Sequence, residues 1–178
     1  DLFYTRRQNW LMPGSVEAIF RGPSADFNGS HWNMTKVWGP KVAGLVDHDK
    51  IIHLPTANLV EMYGMANGLP LDDPQSGFDK RHPFKNRDPR FYHDIVFDGF
   101  HYVLAEDKLS DAQKPYAYCE LYTGADMRSI DLGSRTGYFF QKLVPHTCNE
   151  GDKDYDWGSN LHTYLSYMRL ADIYLMYA

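Results

Sequence analysis

Apolar residues come in short bursts separated by long polar, turn-rich stretches, a pattern that predicts short elements joined by loops. Ser15 to Arg21 (SVEAIFR) is an apolar run between Pro13-Gly14 and Gly22-Pro23 and reads as a strand. Thr56 to Asn67 predicts a helix: Leu59, Met62, Tyr63 and Ala66 form an apolar stripe, Thr56 suits the N-cap, and Asn67-Gly68 is a stop signal. Asp88 can cap a second helix with Pro89 at its first position. After Phe91 and Tyr92, Asp94 to Phe97 reads as a strand closed by Asp98-Gly99 in a hairpin. Thr136 to Val144 (TGYFFQKLV) is another short extended segment. At the end of the chain, Tyr164, Met168, Ala171, Leu175 and Ala178 recur at helical spacing and predict one continuous helix. Gly22 to Pro55, Leu71 to Asn86 and Lys108 to Ser134 carry no periodic pattern and read as loops, and Glu150 to Gly158 is an acidic loop. There is no internal repeat.

Composition narrows the class. At 178 residues and 43% hydrophobic, the chain can bury a core. Aromatics reach 15%, enough for a core, a surface platform or both. The net charge of -5 is spread along the chain, and no Lys/Arg run interleaves with aromatics, so nucleic-acid binding is not expected. The most apolar stretch, Leu161 to Ala178, is broken by Arg169 and Asp172, so no span is long enough to cross a bilayer as a helix. Cys119 and Cys148 read as free buried thiols in preference to a disulfide, and neither sits in a CxxC pair. The chain opens at Asp1 and stops at Ala178 inside the periodic helix. A fragment truncated at both ends is therefore expected.

Four stretches, in order, resemble the SusD/RagB family. Glu17-Ala18-Ile19-Phe20 is like its "E-[AV]-I-F" strand. Leu54-Pro55-Thr56 through Leu59-Val60-Glu61-Met62-Tyr63 to Asn67-Gly68 is like its "P-T" helix. Gly77-Phe78-Asp79, Pro83 and Asn86-Arg87-Asp88-Pro89-Arg90-Phe91 are like "G-[YF]-D…P…N-R-D-P-R-[FL]". Thr136-Gly137-Tyr138 with Lys142, then Met168-Arg169-Leu170-Ala171-Asp172-Ile173-Tyr174-Leu175 with Tyr177-Ala178, are like "T-G-Y…K" and "i-R-[LY]-A-[ED]-x-x-L-x-Y-A". The departure is Asp172, where Glu is more usual and the charge is kept. The resemblance implies a mainly α-helical fold, with helical-repeat pairs upstream and an irregular, loop-rich C-terminal part with short strands, to which residues 1–178 would correspond. It further implies a lipid-anchored protein on the outer face of the outer membrane, anchored by an N-terminal lipid outside this chain. Such proteins form a lid on a SusC-like TonB-dependent transporter and capture oligosaccharides or, in some members, peptides. A catalytic role is not implied.

Trp32 and Trp38 are the candidate ligand contacts, since an indole face stacks on the apolar face of a sugar ring. In the family the ligand platform draws on the region before the "P-T" helix, where both lie. The competing reading is that each anchors its loop to the core. Trp10 is a weaker candidate upstream, and His31 and Asn33 beside Trp32 could hydrogen-bond hydroxyls. Arg87, Asp88 and Arg90 read as a structural, charge-assisted network that pins a strand to a helix. Arg169 and Asp172 share a helix face and also read as structural. Asp152, Asp154 and Asp156 alternate like a calcium loop, but Gly158 comes one place late and position 163 is Thr, so a solvated acidic loop is the default and calcium the alternative. Asp47, His48, Asp49 and His53 form a second polar cluster without a transition-metal spacing. There is no G-x-S-x-G, P-loop or G-x-G-x-x-G, which leaves a carbohydrate-active enzyme as the least supported alternative to a glycan or peptide binder.

Overall fold

The computed structural model describes residues 17–21, 53–102, 109–129, 133–142 and 166–178. Among them are helices α1 (Ala57–Glu61), α2 (Pro89–Asp94) and α3 (Leu170–Tyr177) and strands β1 (Ala18–Arg21), β2 (Ile95–Val96), β3 (Phe139–Phe140) and β4 (Ser166–Arg169). The strands pair antiparallel as β1–β4 and β2–β3. This is the expected mixture of short helices, short strands and loops.

Helix α1 starts where its cap predicts. The Thr56 hydroxyl accepts from the Leu59 N–H at 3.2 Å, satisfying one of the first-turn donors. It stops well before the Asn67 that periodicity predicts. Past Met62 the carbonyls of Tyr63 and Gly64 face Arg87 instead of a next helical turn, and Met65 leaves the helical path to bridge the backbone of Arg87. Gly68 does take the left-handed conformation, at φ 84°, but it closes a local turn back to the Met65 carbonyl, not the helix.

Helix α2 begins at Pro89 with Asp88 as its N-cap, as expected; the Asp88 carboxylate accepts from the Arg90 N–H at 2.8 Å. It runs directly into β2. The Asp98-Gly99 turn does not return β2 on itself as a hairpin. Instead β2 pairs with β3, with Ile95 opposite Phe140 and Val96 opposite Phe139. The apolar surfaces of α2 and β2 explain this choice. Phe91, Ile95, Val96 and Phe139 are all fully buried, and a long-range partner was needed to cover them. One core gathers Val60, Phe91 and Ile95 under Tyr63, Phe84, Tyr92, Phe97 and Tyr138. Phe97 sits 4.7 Å from Phe84 and 5.1 Å from Phe91, ring centre to ring centre, within the range where aromatic pairs add to simple burial.

The segment from Lys108 to Ser134 is not the featureless loop its sequence suggests. Leu109, Ala117, Cys119, Leu121 and Met127 are buried in a second core with Val96, Tyr102 and Phe139. Its backbone is fastened by 3-10 turns at Lys114–Ala117 and Asp126–Arg128. Gly99 to Tyr102 pairs with Ala117 to Cys119 through bonds of 2.8, 2.9 and 2.8 Å. Turns give no sequence periodicity, which is why these core positions escape a pattern search. Cys119 is a buried free thiol, as expected of it; Cys148 lies outside the described residues.

The terminal helix is shorter than predicted. Ser166–Arg169 is strand β4, and helix begins only at Leu170. Two forces fix that switch. Met168 and Arg169 pair with Phe20 and Ala18 of β1, and the Asp172 carboxylate takes both the backbone N–H and the guanidinium of Arg169 at 2.9 Å. Asp172, at the third helical position, thus accepts the N–H of the residue before the helix, one half of a capping box, which marks a helix start. Arg169 and Asp172 thus pair with each other as expected, and Arg169 also lies 3.9 Å from Glu17.

Candidate functional site

The described residues hold one well-defined structural knot and, above it, an open groove. Asn86 takes the left-handed conformation at φ 54°, which asparagine tolerates, and turns the chain so that Arg87 runs under α1. The Arg87 side chain is buried without facing a carboxylate. Its guanidinium donates instead to four backbone carbonyls: Val60 at 2.8 Å, Tyr63 at 2.6 Å, Gly64 at 3.3 Å and Pro83 at 3.0 Å. It also lies 4.6 Å above the Phe91 ring, a cation–π contact. The Tyr92 hydroxyl closes the knot, accepting from the Arg87 N–H and donating to the Phe84 carbonyl. Burial pulls the Arg87 pKa down, yet the group stays charged at any ordinary pH.

Beside this knot, Asp94 is buried and accepts from the Tyr63 hydroxyl at 2.7 Å, with the Lys142 ammonium 3.5 Å away. Burial, and then this hydrogen bond, push the Tyr63 pKa above the usual tyrosine range. On the surface, Arg90 pairs with Asp88, whose carboxyl this contact holds below the usual range. The expected network therefore splits in two. Asp88 and Arg90 form the local pair, while Arg87 does the pinning through carbonyls.

The groove encloses about 590 Å³ between α1 and the 70–83 segment, with Arg87 in its floor. Asn58, Glu61 and Met62 form one wall, on a single face of α1; Phe78 and Lys80 form the other, and Tyr138 closes an end. Met62 belongs to the apolar stripe that predicts burial, yet it is 81% exposed, because α1 ends at that point and turns its stripe partly to solvent. The volume is in the range of small-ligand sites. The lining has apolar faces and charged tips, Glu61, Asp72, Lys80 and Arg87 among them, and no Ser, Thr, Cys or His. The Phe78 and Tyr138 positions were legible only as motif letters, each an isolated aromatic in a turn-rich segment.

Of the residues picked out in sequence, Trp10, His31, Trp32, Asn33 and Trp38 lie outside the described residues, as do Asp152, Asp154, Asp156, Asp47, His48 and Asp49. His53 is described and exposed. Among the described residues, no group of three or more His, Cys, Asp or Glu converges on a metal position. Among them also, no helix is long and apolar enough to cross a membrane.

Comparison with known proteins places this geometry. The sequence model of the SusD family matches residues 17–178. The chain belongs to the SusD family. A SusD-like protein from Bacteroides fragilis NCTC 9343, of known structure, is similar in fold with a TM-score of 0.64 at 25% identity; the match covers 96% of this chain and 34% of that one. The chain therefore spans about a third of the length of that SusD-like protein. No curated protein matches it. In this SusD-family chain the shared motifs have structural work. Ala18 to Phe20 lies in the strand that receives β4, Asn86 and Arg87 form the knot, and Asp88 and Arg90 form the surface pair beside it. Thr136-Gly137-Tyr138 wraps around the buried Ser134 hydroxyl, which accepts from the N–H groups of Gly137 and Tyr138 at 3.0 Å and donates to the Tyr138 carbonyl at 2.7 Å.

Proposed function

We propose that the full-length protein is a nutrient-capturing lipoprotein of the outer-membrane surface. It binds oligosaccharides and delivers them to a SusC-like TonB-dependent transporter. The observation that carries this reading is SusD-family membership over residues 17–178. The described residues support binding through a groove with apolar faces and charged tips, while Arg87 of the shared motif is spent on backbone carbonyls. Ligand contact is assigned to Trp32 and Trp38, with Trp10, His31 and Asn33 as further candidates. Asp152, Asp154 and Asp156 form a solvated acidic loop or, in the alternative, a calcium site that steadies the loop, and in either case a chelator should leave binding largely intact.

The test is a glycan and peptide array on the full-length protein, followed by calorimetry with the best ligand. Oligosaccharide binding is expected, weakened by about 1–3 kcal/mol in Trp32→Ala or Trp38→Ala with the melting temperature nearly unchanged. Peptide-only binding would move the reading to peptide import. Sustained release of reducing sugar by the purified protein would replace capture with catalysis.

A further inference from the structure

The groove between α1 and the 70–83 segment stands apart in what its polar side chains do. Most carboxylates elsewhere are engaged by the protein itself. Asp73, Asp79, Asp88, Asp98 and Asp172 each accept a backbone N–H, and Asp94 accepts from the Tyr63 hydroxyl. In the groove, Asn58, Glu61, Asp72 and Lys80 make no side-chain hydrogen bond or ion pair with any described residue, and neither does the Tyr138 hydroxyl. Two aromatic rings stand among them, both braced from behind. Phe78 lies 5.9 Å from the Arg87 guanidinium. Tyr138 stands edge-on to Phe84 at 6.3 Å, and the Ser134 hydroxyl holds its backbone. The far wall is cross-braced as well. The Ser76 hydroxyl donates to the Leu71 carbonyl at 3.4 Å and accepts from the Phe78 N–H at 3.2 Å, and the Asn67 amide donates to the Ser76 carbonyl at 3.2 Å. Rings and walls fixed in advance lose little freedom when a ligand arrives. A concave site with apolar faces and a few convergent polar groups is the usual form of a small-ligand site.

We infer that this groove is a saccharide subsite that takes an uncharged sugar unit. A sugar ring presents an apolar face to Phe78 or Tyr138 and a rim of hydroxyls to the polar tips around them. Those tips suit hydroxyls: a carboxylate can accept two O–H groups, and the Asn58 amide both donates and accepts. Charge sets the class of sugar. Glu61 and Asp72 balance Lys80 and Arg87, so the lining has no net charge to attract a uronate, a sulfated sugar or a cation. Arg87 would be the natural clamp for an anion, but its guanidinium is held by four backbone carbonyls. This assignment rests on the reading of the protein as a glycan binder, and it adds a subsite to the contacts given to Trp32 and Trp38.

The test uses the full-length protein with linear hexasaccharides of glucose, mannose, galactose and xylose, and hexagalacturonate as their acidic counterpart. Met62 belongs to the groove wall and is exposed, so hydrogen peroxide should oxidise it in the free protein and a bound sugar should shield it. At least one neutral hexasaccharide is expected to slow Met62 oxidation about threefold or more, while hexagalacturonate leaves the rate unchanged. The double variant Glu61→Ala/Asp72→Ala should lose that shielding and bind the same hexasaccharide at least about tenfold more weakly in calorimetry. Its melting temperature should stay at the parent value, since neither side chain bonds a described residue. Met62 that resists peroxide in the free protein would overturn the subsite, because the groove would then be filled by the protein itself. Neutral hexasaccharide bound with Met62 unshielded, or bound equally by the parent and the double variant, would also overturn it and leave capture at Trp32 and Trp38 standing. Shielding by hexagalacturonate as strong as by the neutral sugars would overturn the assignment to uncharged units. Binding of none of the five would overturn the subsite and the capture of oligosaccharides together.

Discussion

Replacing Arg87 with alanine should cost the full-length protein about 3 kcal/mol of stability. The figure follows from what each of four carbonyls has left. The Val60 carbonyl still accepts from the Tyr63 N–H at 3.3 Å, and that of Gly64 from the Asp88 N–H at 2.9 Å. Those of Tyr63 and Pro83 lose the guanidinium as their hydrogen-bond donor. Two carbonyls stripped in a partly buried site cost roughly 1–3 kcal/mol each, and the weakened Val60 and Gly64 contacts and the lost Phe91 contact add to this. Against it stands relief of the desolvation that burial imposes on the guanidinium, which lowers its pKa. The difference is about 2–4 kcal/mol, a large part of a domain's net stability. Arg87→Lys should recover less than half, because an ammonium carries three donors from one point and cannot span a fork of four carbonyls. Urea denaturation of the two variants beside the parent measures both. A loss below about 1 kcal/mol for Arg87→Ala would refute the reasoning by showing that the guanidinium adds little, and full recovery with lysine would refute it by showing that charge alone and not the fork holds α1 to the knot.

Ser134→Ala removes the acceptor of two N–H groups and one donor in a fully buried turn, so a loss of about 2–4 kcal/mol is expected by the same denaturation assay. Tyr63 has a folded pKa raised above the ordinary 10.0, so its neutral form stabilises the fold; that contribution is full below about pH 10 and is lost as pH climbs towards the folded value. Melting temperature should therefore fall between about pH 9.5 and 11.5, and the fall should be shallower in Tyr63→Phe; parallel slopes would remove Tyr63 from the account. Cys119 is buried, and burial followed by the nearby Asp98 pushes its thiol pKa up, so native protein should leave it unmodified by maleimide at pH 8 while denatured protein reacts at once.

Local signals set several features that the structure retains. Thr56 and Asp88 start helices because their side chains reach N–H groups two or three residues away, a contact written entirely in neighbouring sequence. Gly68 and Gly99 bend the chain to the left because only they do so without strain. The order of four motifs carried the family, and the family model confirms it over the same span.

Where elements stop was decided by tertiary contacts. Periodicity extends α1 to Asn67 and the last helix back to Tyr164, because an apolar stripe looks the same whether a helix or a strand buries it. A guanidinium arriving from position 87 ends the first, and β1, well over a hundred residues upstream, draws Ser166–Arg169 into a sheet. The same limit hid Leu109, Ala117, Leu121 and Met127, which reach the core from turns with no period at all. It hid the groove too, since Met62, Phe78 and Tyr138 meet only once Arg87 has folded their segments together. Sequence alone determined the family and the caps, which depend on neighbours along the chain. Only the tertiary structure decided the ends of elements, the second core and the groove, because each depends on atoms that are distant in sequence and in contact in space.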